Sequence, residues 1–144
     1  MKDIETVGQE LITLFESDLG SAFDIVDSDK GDSIALDDIA KYNYGADDVA
    51  GNYPLLCVIS LRETQVTEQS YTYSYSVELY LTGDDSTDLE KRCNRSARAI
   101  KSVLKTNYSG VGEVPSIEYP PVFSRNNVLF KGVAVLFNIL VATD

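Results

Sequence analysis

The sequence predicts an α+β domain: a two-layer sandwich with a mostly antiparallel sheet and two helices packed on one of its faces, in the order α-β-β-α-β-β. Three observations lead there. Apolar residues recur at helical spacing in two separate stretches, near residues 4–19 and 89–104. SYTYSYSVELYLT, residues 70–82, alternates strictly, as a half-buried strand does. YPLLCVISLR (53–62) and VLFKGVAVLFNILVA (128–142) are apolar on both faces, which suits strands inside a sheet. With 144 residues and 44% hydrophobic content, the chain predicts one folded domain over 1–144 with room for a core.

Taken in order, Ile4, Val7, Leu11, Leu14, Phe15 and Leu19 form one helical stripe. The helix is expected from Asp3 to Leu19 with Gly20 as its stop, and Ala22 to Val26 offer a short extension. Residues 27–52 are rich in Asp, Gly and Asn and read as irregular, with one short strand near Ser33 to Leu36. A strand follows over 53–62. ETQVTEQS reads as a polar connector. In the next strand Tyr71, Tyr73, Tyr75, Val77, Leu79 and Leu81 share one face, which predicts burial of the tyrosine ladder. No Lys or Arg neighbours that ladder, so a base-stacking platform is disfavoured.

Asp85 or Ser86 can cap the second helix, and Thr87 with Glu90 offers an alternative capping box. Leu89, Cys93, Ala97, Ile100 and Leu104 lie on one side of it; Lys91, Arg95, Arg98 and Lys105 lie opposite, flanked by Arg92 and Lys101. IEYPPVFSRNN is expected to hold a short edge strand limited by its prolines, and Asn126-Asn127 a turn. The last apolar run is rich in β-branched and aromatic residues and reads as a central strand, with Gly132 as a possible bulge.

Composition narrows the chemistry. The chain has no His, so Ser-His and Cys-His nucleophilic sites are excluded and zinc sites of the usual kind lose their main ligand. Cys57 and Cys93 read as small core residues in a reducing compartment. No apolar run reaches the roughly 18 to 20 residues needed to span a bilayer. The acids within MKDIETVGQELITLF speak against a secretory leader. Paired acids such as Asp37-Asp38 and Asp84-Asp85 are read as loop and capping residues, and no cofactor and no catalytic residue are expected.

DSDKGDSIALDD, residues 27–38, has an EF-hand echo. Asp27, Asp29, Gly31, Ser33 and Asp38 fall at positions 1, 3, 5, 7 and 12, but Asp32 replaces the position-6 glycine and Asp38 the bidentate glutamate. A solvated acidic connector is the favoured reading, with at most a weak calcium site at Asp27, Asp29 and Asp38.

The stretches YPLLCVISLR, YSYSVELYLTG, DLEKRCNRSARAIKSVL and FKGVAVLFNILVATD, in that order, resemble the tail terminator (tail completion) proteins of long-tailed bacteriophages, the lambda-type neck family. The likeness rests on hydrophobic patterns and carries over no catalytic residue. It implies a virion protein assembled in the host cytoplasm: a ring of about six copies at the head-proximal end of the tail. Such a ring ends tube growth, docks to the head connector or stopper protein above and the tube protein below, and lets genomic DNA pass without specific binding. Six copies would carry a formal charge of about −66, six times −11, which disfavours phosphate sticking in a lumen.

On this reading Lys91, Arg95, Arg98 and Lys105 meet acids of the next subunit, with Asp27, Asp29 and Asp32 as candidates. A purely solvated basic face, or one touching DNA, stays open beside it. A stopper, adaptor or tube protein of the same neck is an alternative within the class, and an acidic DNA-mimic inhibitor is one outside it.

Overall fold

The computed structural model describes residues 2–31, 39–47, 52–108 and 116–142. It is an α+β structure with two helices and a six-stranded, mostly antiparallel sheet. The elements are α1 (Ile4–Lys30), β1 (Lys41–Tyr44), β2 (Leu55–Thr67), β3 (Ser70–Gly83), α2 (Ser86–Asn107), β4 (Ser116–Glu118), β5 (Phe123–Arg125) and β6 (Val128–Ala142). The strand order is β1-β2-β3-β6-β4, with β5 also pairing β6. The expected α-β-β-α-β-β order is thereby corrected by one strand before β2 and by a split of the proline-limited segment into β4 and β5.

α1 begins where the sequence places it. The Asp3 side chain accepts from the Thr6 amide at 2.7 Å, closing the N-terminal turn. It does not stop at Gly20. Leu19, Ala22, Phe23 and Val26 continue the apolar stripe, all are buried, and the helix ends only at Gly31, which is left-handed with φ 73° and donates to the Ser28 carbonyl. One exposed glycine is too small a penalty to break a stripe that keeps burying side chains. The 27-residue helix is about 40 Å long.

β1 was not legible, because it is short and parallel. Its four residues pair with Leu55–Val58, and Tyr42 and Tyr44 pack against the core. The strand expected near 33–36 lies outside the described residues. β2 runs five residues past its expected end, and a two-residue turn at Glu68-Gln69 joins it to β3. ETQVT is therefore strand and not connector. Register shifts at Leu61 and Val66 break the two-residue period, which hid the strand from pattern reading.

β3 lies between β2 and β6 and pairs with β6 along its whole length, from Ser70↔Ala142 to Gly83↔Leu129. That register is uninterrupted, so Gly132 is not a bulge. It sits opposite Tyr80, whose ring lies 3.0 Å from where a Cβ would stand. Asn126 and Asn127 both have positive φ, 52° and 64°, and form the tight turn between β5 and β6.

One core joins both helices to alternate residues of the sheet: Leu56 and Val58 of β2; Tyr73, Tyr75, Val77, Leu79 and Leu81 of β3; Val133, Val135, Phe137 and Ile139 of β6. The buried tyrosines satisfy their hydroxyls on the first residues of the chain. Tyr73 donates to the Lys2 carbonyl at 3.0 Å and Tyr75 to that of Ile4 at 2.7 Å.

Gly8 marks the tightest approach in the helix layer. A Cβ there would overlap the Tyr44 ring, which is itself held by a 2.6 Å hydrogen bond to Ser60. Helix propensity alone would make Gly8→Ala stabilising by about 1 kcal/mol. Overlap with Tyr44 should reverse the sign and destabilise by about 1–3 kcal/mol in denaturant titrations. Tyr44→Leu in the same chain should recover most of that loss.

Candidate functional site

The charged side chains singled out in the sequence divide into pairs within the chain and free cations. α1 and α2 pack side by side. In the last turns of α1, Asp27 Oδ1 accepts from Arg95 Nη1 at 2.6 Å, with both side chains largely buried. Asp29 Oδ2 meets Arg98 Nη2 at 3.3 Å in an exposed pair. Farther along, Asn107 donates to Asp18 at 3.3 Å. Arg92 pairs with Asp88 one helical turn away, at 2.9 Å.

The structure therefore brings Arg95 to Asp27 and Arg98 to Asp29, but inside one chain. Within the chain these arginines meet acids of α1, because that helix is longer than its first apolar stripe suggested. Lys91 and Lys105 stand exposed on α2 and make no ion pair among the described residues. Asp32 lies outside the described residues.

The calcium register is corrected by the same helix extension. Asp27 and Asp29 are helical and each faces a guanidinium, so neither begins a loop. Ser33 and Asp38 fall outside the described residues, and no group of three or more potential metal ligands forms among those described.

Cys57 and Cys93 are both free and buried. Cys93 on α2 belongs to the shared core, whereas Cys57 of β2 points to the opposite sheet face with Glu78 and Tyr80. The sheet separates them. Burial pushes both thiols up, Cys93 to about 11, which suppresses the reactive thiolate. The Tyr80 hydroxyl donates to Glu78, and burial raises its own pKa.

Sequence reasoning missed two features. The first is Lys131, which is buried in β6 with Nζ donating to the Pro120 carbonyl at 2.7 Å and facing Glu90 Oε2 at 3.2 Å. The other is a three-stranded ribbon beyond the reach of the edge strands. β1 covers β2 only at Leu55–Val58, and β4 covers β6 only at Ala134–Leu136. Past those points the outer edge of β2 and the end of β6 pair with no described strand. Leu61, Val66 and Leu140 are more than half exposed there. An open cleft of about 530 Å³ beside the last residues of β6 is lined by Lys2, Glu10, Tyr108 and Leu140 among others, and its Lys2 and Glu10 pair with each other at 2.7 Å. No helix among the described residues is long and apolar enough to cross a membrane.

Compared with known proteins, the chain matches no family model, and no curated protein is significantly similar to it.

The Arg95–Asp27 pair makes a sharp expectation. Arg95→Met leaves a buried carboxylate without its partner and should cost about 3–5 kcal/mol. The double variant Asp27→Leu/Arg95→Met should lie within about 1 kcal/mol of the parent, since a well-packed apolar pair replaces a desolvated ionic one. Urea unfolding of the three proteins measures both differences.

Proposed function

We propose that this chain is a structural virion protein of the phage neck, a ring-forming tail terminator. In this reading it ends growth of the tail tube and joins the tail to the head connector. The observation that carries it is the ribbon, whose outer edges pair with no strand among the described residues. The proposed architecture is a two-layer sandwich with both helices on one face; the far face is buried at Leu55 and Cys57 and left open along the ribbon. That face presents Ile59, Leu136 and Leu140 along the ribbon, with Leu140 57% exposed. Exposed apolar surface continuous with open strand edges is characteristic of an association surface.

The order of elements supports the same reading through its likeness to the terminator family. So does the charge: an assembly of chains at −11 each favours sliding of DNA over retention. The absence of His and the burial of both cysteines give a chemical role little to work with. A stopper or adaptor of the same neck would use the same surfaces. Contact with preformed tubes separates it from a terminator.

The purified chain should run as a ring of about six copies in light scattering and appear as an annulus in negative stain. Added to polymerising tube protein, it should shorten the tubes and appear at one end only. A monodisperse monomer at high concentration that leaves tube length unchanged would contradict the proposal.

A further inference from the structure

We draw no further inference here: the strongest candidate, the open cleft lined by Val7, Tyr108 and Leu140 together with the adjoining edge of β6 over 137–142, carries nothing because no feature among the described residues shows what covers it.

Discussion

Strict alternation along β3 is the constraint on which the rest of the molecule depends. Tyr73, Tyr75, Val77, Leu79 and Leu81 all face the shared core, and the strand is paired on both sides. A slip of one residue would exchange this face for Ser74, Ser76, Glu78 and Tyr80. The register with β6 is fixed for the same reason, and with it the seat of Tyr80 over Gly132. The tyrosine hydroxyls then capture the carbonyls of Lys2 and Ile4, so the sheet sets where the first helix starts.

The helices add a second constraint of a different kind. Apolar burial places each against the sheet, but the buried pair of Arg95 with Asp27 ties them to one another at a defined register. Such a pair contributes little net stability against an apolar alternative, yet a mismatch is costly. It draws two of the chain's charges inward and leaves Lys91, Lys101 and Lys105 as the outward basic face of α2.

Much of this was legible in the sequence, and the limits have physical causes. Helical and strand periods reveal burial, so α2, β3 and the start of α1 were readable from the spacing around Leu89, Tyr75 and Leu11, and β6 from its run of β-branched residues such as Val135. The end of α1 was not, because Gly20 resembles a stop and the decisive contacts, Asp27 with Arg95 and Asp29 with Arg98, join residues far apart in sequence. β2 past Arg62 was lost because two bulges break its period and its outer edge is solvated. Lys131 is the one charge in an apolar run, and nothing local announces the Pro120 carbonyl and Glu90 that allow its burial. For Arg95 and Arg98 the charge was readable and the partner, far away in the chain, was not.

The ribbon of β2, β3 and β6 connects structure to function. Its core side packs on the helices, while its edges and far face expose Leu61, Val66 and Leu140. Amide hydrogen exchange along residues 59–67 and 137–142, compared between dilute and concentrated protein, measures directly whether other copies complete this sheet. The account requires protection in both segments to rise together as the chain assembles, with β3 protected throughout. Assembly that leaves both segments exchanging as fast as in the dilute chain would contradict it.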